Sequence, residues 1–335
     1  MKAAIWERPG ELRIGERDDP TPGHGELVVK VGACGLCGTD LHIADGHFEP
    51  TPYPIVPGHE FAGEVVAVGP GVDGWSEGAR VAVDPSLFCG HCEYCRVGRG
   101  NLCANWNAIG DTVDGAFAEY VKVPAANAYA LPDELDFRAG ALVEPVSCAV
   151  RGMHRLAVQP GESALVIGAG TMGLLLEQLI LRAGATRVAV VDTNERKLAL
   201  AEKMGANAVA TSTEELGEFD VAVDATGVPP AIESAFDALR RGGRLMIFGV
   251  AHGDARVSLS PFRIYNDEIT VLGSMAVLNS YGPALELMAA GAVDAKAMLT
   301  HDFALDDFGE ALETVRRGDG VKSQVLPHTV TRSRT

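Results

Sequence analysis

The stretch 164–173, ALVIGAGTMG, limits what this chain can become more than any other. Apolar residues suited to a buried strand run into glycines spaced G-x-G-x-x-G at Gly168, Gly170 and Gly173, and a helix-forming segment follows. The first glycine permits a sharp turn, the second lets a pyrophosphate approach the backbone, and the third lets helix and strand pack closely. Thr171 and Met172 fall in the helix's first turn, where free N–H groups and the positive dipole end favour phosphate. Asp192 ends the next apolar run, roughly 20 residues on, as a dinucleotide site requires. Its carboxylate suits ribose hydroxyls and repels a 2′-phosphate, so NAD is expected over NADP. Arg196 and Lys197 follow closely and blunt that preference.

The pattern around this turn sets the architecture. Apolar strands at 164–167, 187–191, 208–210, 221–223, 244–248 and 269–272 alternate with helices such as 172–183 and 195–204. That alternation predicts a doubly wound parallel sheet covered on both faces, a Rossmann domain. The chain before it is β-rich. Strands at 27–31, 61–68, 80–83 and 118–123 lie between turn clusters, which fits an antiparallel, barrel-like unit. A helix is expected over 145–156 with Pro145 at its first position. Helices at 281–290 and 306–316 precede a polar tail from Ser323, and this last part is assigned back to the first domain. The expected α/β division is therefore 1–150, 151–275 and 276–335.

Bulk properties exclude several roles. The 28 Lys and Arg against 45 Asp and Glu leave a net charge of −17, which opposes nucleic acid and anionic membrane alike. No apolar run approaches the ~20 residues of a membrane span, and the charged N-terminus does not read as a signal peptide. Seven cysteines with no secretion signal favour metal over disulfides and a cytoplasmic location.

Four of those cysteines, Cys89, Cys92, Cys95 and Cys103, crowd into one lobe. Four thiolates this close suit a closed tetrahedral Zn²⁺ site, with an iron–sulfur cluster as the chemical rival. A second donor set lies in the Gly/Pro-rich stretch 34–60: Cys37, Thr39, His42, His59 and Glu60. Thiolate, imidazole and carboxylate are the ligands of an open zinc site. Cys34 and Cys37 also read formally as C-x-x-C, a redox pair on other scaffolds.

With CGTDLH at 37–42, PGHE at 57–60, the cysteine lobe, the Gly-rich turn and Glu144-Pro145 in order, the chain resembles the zinc-dependent alcohol dehydrogenases of the medium-chain dehydrogenase/reductase superfamily. The resemblance spans nearly the whole length. It implies a GroES-like β-rich catalytic domain beside the Rossmann domain, an active site in the cleft where they meet, and zinc in both metal sites. It places the catalytic zinc on Cys37, His59 and Glu60, with Glu144 as an exchanging acidic ligand, and the structural zinc on the four-cysteine lobe. Asp40 then resembles the carboxylate that orients His59, and Cys34 becomes a packing residue. The implied reaction is reversible oxidation of a secondary alcohol to a ketone, with the proton leaving through Thr39 and His42.

An acidic residue at 144 resembles the polyol (sorbitol or arabinitol) and threonine branches of that family. A polyol, sugar alcohol or cyclitol is the expected small-molecule substrate, and an L-threonine 3-dehydrogenase-like activity is the alternative. From another class, a non-catalytic NAD-binding sensor remains possible by fold. The chain departs from sorbitol-dehydrogenase-like sequences after Gly273, where Ser-Met-Ala-Val-Leu-Asn-Ser-Tyr replaces an Arg-Tyr pair facing the polyol. The loss of that Arg leaves three readings open: a less hydroxylated substrate, binding through Asn279 or Tyr281, or contact from another loop such as 106–107. The family resemblance also implies a homodimer or homotetramer joined through the Rossmann sheet edge.

Overall fold

A computed structural model describes residues 1–48 and 50–329. The chain divides into two compact units. The first comprises Met1–Glu144, Tyr281–Ala290 and the chain from Ala295 onward; the second comprises Pro145–Ser280 and Gly291–Asp294.

In the first unit, a seven-stranded sheet carries the strands in the order Leu299–Ala304, Lys322–Leu326, Glu26–Gly35, Glu60–Val68, Arg80–Val83 and Ala128–Ala130, with Tyr120–Pro124 also paired to Glu26–Gly35. All its pairings are antiparallel except Leu299–Ala304 with Lys322–Leu326. Alternation in Glu26–Gly35 sends Leu27, Val29 and Val31 into a core shared with Phe61, Val65, Phe117 and Phe308. One register matters for function. Gly35 lies opposite Glu60 and also opposite Gln324, so three strand ends converge on one corner of the sheet.

The expected polar tail begins later than its composition indicated. Ser323–Leu326 belong to an interior strand, and Gln324 is fully buried with its amide donating to the Arg138 carbonyl. Residues 330–335 of that tail lie outside the described residues.

The second unit holds a six-stranded parallel sheet, ordered Ala208–Ala210, Arg187–Val191, Ser163–Ile167, Phe219–Asp224, Leu239–Ile247 and Thr270–Gly273. Its central strands are mostly buried and apolar, with Ser163, Asp220 and Asp224 the polar exceptions, as in a parallel sheet covered on both faces. The order reverses beside Ser163–Ile167, the strand that feeds the Gly-rich turn. In doubly wound sheets, ligands bind at that switch point.

Two expected boundaries move. The division falls at Glu144, not 150, because Pro145 sits inside one continuous helix, Val143–Leu156, whose Gly152 packs on Phe248 of the second unit. Pro145 is thus at the third helical position, not the first, and is tolerated because first-turn N–H groups need no intrahelical partner. Residues 276–280 and 291–294 also stay with the second unit. Arg182 donates to the Gly291 and Ala292 carbonyls, and Asp294 N donates to Gln178, which ties that short turn to the helix Thr171–Arg182.

Candidate metal and cofactor sites

The four-cysteine lobe is built almost entirely by local chain. Cys89 Sγ lies 4.0 Å from Cys95 Sγ, and Cys92 Sγ lies 3.9 Å from Cys103 Sγ. A disulfide needs about 2.05 Å, whereas thiolates around one zinc at about 2.3 Å stand roughly 3.8 Å apart. All seven cysteines are free thiols. Backbone amides turn inward: Cys89 N and Asn105 N donate to Cys103 Sγ, and Cys92 N donates to Cys89 Sγ. Hydrogen bonds from the backbone at His91 and Cys92 hold the Cys89 thiol down to about 5. The donor set fits a closed zinc site. His91 points its Nδ1 at the Cys89 carbonyl and stays outside it.

The second site sits at the corner where the three strand ends meet. Cys37 follows the strand Glu26–Gly35 and caps the helix Gly38–Ala44, its Sγ accepting from Thr39 N at 3.2 Å. Asp40 completes a capping box by accepting from Cys37 N at 2.9 Å through Oδ2. His59 precedes the strand Glu60–Val68 and brings Nε2 to 3.0 Å from Cys37 Sγ. Ligand atoms of Cys37, Asp40 and His59 all lie within 4.8 Å of one another. Asp40 is fully buried, and its Oδ1 has no hydrogen-bond partner. A buried carboxylate oxygen left over beside a thiol and an imidazole is what a bound cation would satisfy. The residues therefore fit a zinc ion.

Glu60 and Glu144 are not part of that cluster. The Glu60 carboxylate is held by the Lys322 ammonium, both side chains being almost completely buried. Lys322 also donates to the Leu36 carbonyl at 2.8 Å. Gly35 is required here, since a Cβ on it would run into the Glu60 carboxylate and the Lys322 side chain. Glu144 is buried at the start of its helix and acts on the charge of Lys322.

Electrostatics follow from this crowding. Burial works against a charged Lys322, but Glu60 and then Cys37 outweigh it and raise its pKa, so it remains a cation. Burial likewise disfavours a charged His59, yet the facing Asp111 and Cys37 push its pKa well above the usual imidazole value. Burial lifts Asp40 to about 6 and raises Cys37, each offset in part by His59. Cys34 is fully buried, its thiol raised by burial, and its Sγ turns to the Gly35 carbonyl; it is a packing residue, as expected.

Asp40 was expected to orient His59. The carboxylate facing His59 Nδ1 is instead Asp111, at 3.0 Å, while Asp40 is drawn to the Cys37 amide by helix capping. Asp111 and Lys322 are the site residues that the sequence reading missed. The signal for Asp111 was an acid between two glycines, Gly110 and Gly115, that both press on the PGHE turn. For Lys322 the sequence carried no signal, since its strand opens on three polar residues, Lys322, Ser323 and Gln324.

Thr39 and His42 lie on one helix, three residues apart and hence on neighbouring positions of its surface. Thr39 is half-buried and His42 exposed, which orders them from the metal-suited cluster towards solvent. Of the substitute substrate contacts, Tyr281 is 1% exposed with its ring 4.8 Å from that of Tyr129, so it is a packing residue. Asn279 adopts φ +53, and Trp106 is half-buried.

In the second unit, Gly168 turns the chain at φ +102. A Cβ on Gly173 would collide with the Gly168 carbonyl, whereas a Cβ on Gly170 would meet nothing. The turn is thus closed on its protein side and open above Gly170, where the helix Thr171–Arg182 begins with no side-chain cap. Asp192 accepts from Ala169 N at 2.7 Å and from Asn194 N at 2.8 Å, which fixes its carboxylate beside the turn. Thr171 and Met172 are half-buried in the first helical turn, and Arg196 is exposed on the next helix. This cradle fits a dinucleotide pyrophosphate with a ribose alongside.

Comparison with known proteins agrees with both units. Residues 23–133 match the alcohol dehydrogenase GroES-like domain, and residues 171–290 match the zinc-binding dehydrogenase domain. The chain is 36% identical to D-arabinitol dehydrogenase 1 of Uromyces fabae, over 98% of this chain and 97% of that protein. It is 35% identical to sorbitol dehydrogenase of Bacillus subtilis, over 98% of each. A zinc-binding dehydrogenase from Sinorhizobium meliloti, solved with NADP bound, superposes with a TM-score of 0.94 at 36% identity, covering 97% of this chain and 99% of that one. With both domains matched in order and whole-length relatives above 30% identity, the chain belongs to the zinc-dependent alcohol dehydrogenase family of the medium-chain dehydrogenases.

Proposed function

We propose that this protein oxidises a secondary hydroxyl of a polyol, sugar alcohol or cyclitol to a ketone, reversibly, with NAD as hydride acceptor. The observation that carries the reading is the acid-rich surrounding of Cys37 and His59, where Asp40, Glu60 and Glu144 take the place of a second thiolate. Cys37, His59 and an acidic partner would hold a zinc ion, which would supply the Lewis acidity that lowers an alcohol's pKa, and a bound nicotinamide would supply the hydride acceptor.

The protein's own groups do the rest. The Thr39 hydroxyl accepts the substrate proton and passes it towards His42, whose exposed ring returns it to solvent. Lys322 neutralises Glu60 and keeps the net charge around the metal site low enough for a neutral alcohol to bind. Gly168, Gly170 and Gly173 admit the pyrophosphate, and Asp192 selects ribose hydroxyls over a 2′-phosphate. The Sinorhizobium relative was solved with NADP, and assaying both cofactors tests the selection by Asp192.

The oligomer is proposed to form through the sheet edge of the second unit. The edge strand Thr270–Gly273 leaves Val271 exposed, and Phe262 and Tyr265 on the adjoining helix are 68% and 84% exposed. Cytoplasmic location rests on seven unpaired thiols, which a reducing compartment preserves. Among the described residues, no helix is long and apolar enough to cross a membrane.

A panel of polyols, cyclitols, L-threonine and simple alcohols, assayed with NAD⁺ and with NADP⁺ by absorbance of the reduced cofactor, tests the reading. The highest kcat/KM is expected for a polyol or cyclitol with NAD⁺. A preference for L-threonine would move the protein to the amino-alcohol branch, and no turnover of any alcohol would leave a nucleotide-binding sensor.

A further inference from the structure

We propose that Asp111, and not Asp40, fixes the tautomer of His59 and so sets how tightly the Cys37–His59 site holds its metal. The proposal rests on reading that site as a zinc centre. A neutral imidazole ligates through the lone pair of one ring nitrogen, so the other nitrogen must keep the proton, and a hydrogen-bond acceptor beside it decides which is which.

His59 presents Nε2 to Cys37 Sγ at 3.0 Å and Nδ1 to Asp111 Oδ1 at 3.0 Å. The 3.0 Å contact between His59 Nδ1 and Asp111 Oδ1 is an ion-pair contact; neither atom makes a hydrogen bond among the described residues, and both side chains are about nine-tenths buried, so each is the other's available partner. A carboxylate in that position holds the proton on Nδ1 and leaves the Nε2 lone pair aimed where Cys37 Sγ points. Asp40 takes no part in this, because its Oδ2 accepts from the Cys37 amide and its Oδ1 makes no hydrogen bond to His59.

The placement of Asp111 is built into the backbone. The 110–117 segment runs along the PGHE turn, with Gly115 N donating to the Val56 carbonyl, Ala116 N to Gly58 and Phe117 N to Pro57. Gly110, at φ +87, and Gly115 approach so closely that a Cβ on either would strike the Gly58 backbone. Thr51, itself buried, donates from Oγ1 to the Asp111 carbonyl at 2.8 Å and pins the loop from its other side. Three glycines and a threonine thus hold one carboxylate against the ring that precedes Glu60.

Zinc affinity of the full-length, zinc-loaded protein, measured by competition with a chromophoric chelator, tests this. Asp111→Asn, which preserves shape but removes the charge and offers a donor amide to Nδ1, is expected to weaken the second-site zinc by about 10–100-fold while the four-cysteine zinc is unchanged. Asp111→Glu should recover most of that loss. Thr51→Val keeps the carboxylate but frees its loop; a loss of about threefold is expected, and this variant carries the test should Asp111→Asn fail to fold. Unchanged affinity in Asp111→Asn, or in Thr51→Val where only that variant folds, would overturn the proposal. A wild-type protein that holds zinc only at the cysteine lobe would instead remove the reading beneath it.

Discussion

The cysteine lobe and the Cys37–His59 site lie in the same unit, but they are assembled in opposite ways. The lobe draws every donor from residues 89–103 and secures them with backbone amides of residues 89–105. The other site gathers Cys37 and Asp40, His59 and Glu60, Asp111, Glu144 and Lys322 from five separate places in the chain. The lobe is partly exposed and built of like groups; the assembled site is buried and mixes acids with a base and a cation. A closed site needs only ligands. A site that must bind, orient and exchange protons needs supporting charges, and the fold has to deliver them.

The comparison breaks most visibly at Lys322. Lys322→Met leaves Glu60 as a buried charge without its cation, which is expected to cost about 3–5 kcal/mol in a urea titration. The lobe should keep its zinc in that variant. A loss of lobe zinc in parallel would mean that the two sites are not independent.

Glu177 sharpens the contrast between paired and unpaired buried charge. It lies fully buried on the helix Thr171–Arg182, with only the Ala206 amide to relieve it, and burial raises its pKa to about 8. The folded chain therefore holds a proton that the unfolded chain releases near the ordinary 4.5. Its stability contribution is full below that value, is lost steadily as pH rises towards about 8, and stays lost above. Glu177→Leu should flatten this slope and raise stability at high pH by on the order of 2 kcal/mol, read from melts across pH. A parallel slope in the variant would place the pH dependence elsewhere.

The smallest effect belongs to the solvent end of the assembled site. His42→Ala is expected to lower kcat about tenfold, with partial recovery on adding imidazole. An unchanged kcat would take His42 out of the proton path.

These differences explain what could be read from the sequence. The lobe was legible in full because its spacing is its structure. The Gly-rich turn was legible because strand, glycines and helix are contiguous, and the closed packing at Gly173 follows from that order. Of the assembled site, Cys37 and His59 stood in recognisable motifs, but their partners depended on register. That Gly35 faces both Glu60 and Gln324 is a property of the sheet, and without it Lys322 reads as the residue before a polar tail. Asp40 and Asp111 are both acids near His59 in space, and local spacing favoured the nearer one in sequence. Helix capping claimed Asp40, and tertiary packing supplied Asp111.

The account's central claim is that the chain carries two zinc sites of different kinds, one closed and structural, one open and catalytic. Brief dialysis against a chelator, with zinc per chain and NAD-linked polyol oxidation followed together, tests it most directly. Starting from about two zinc ions per chain, the account predicts that one leaves first, that activity falls in proportion, and that added zinc restores both while the fold is retained. A single zinc in the native protein, or full activity after the labile ion has gone, would contradict it.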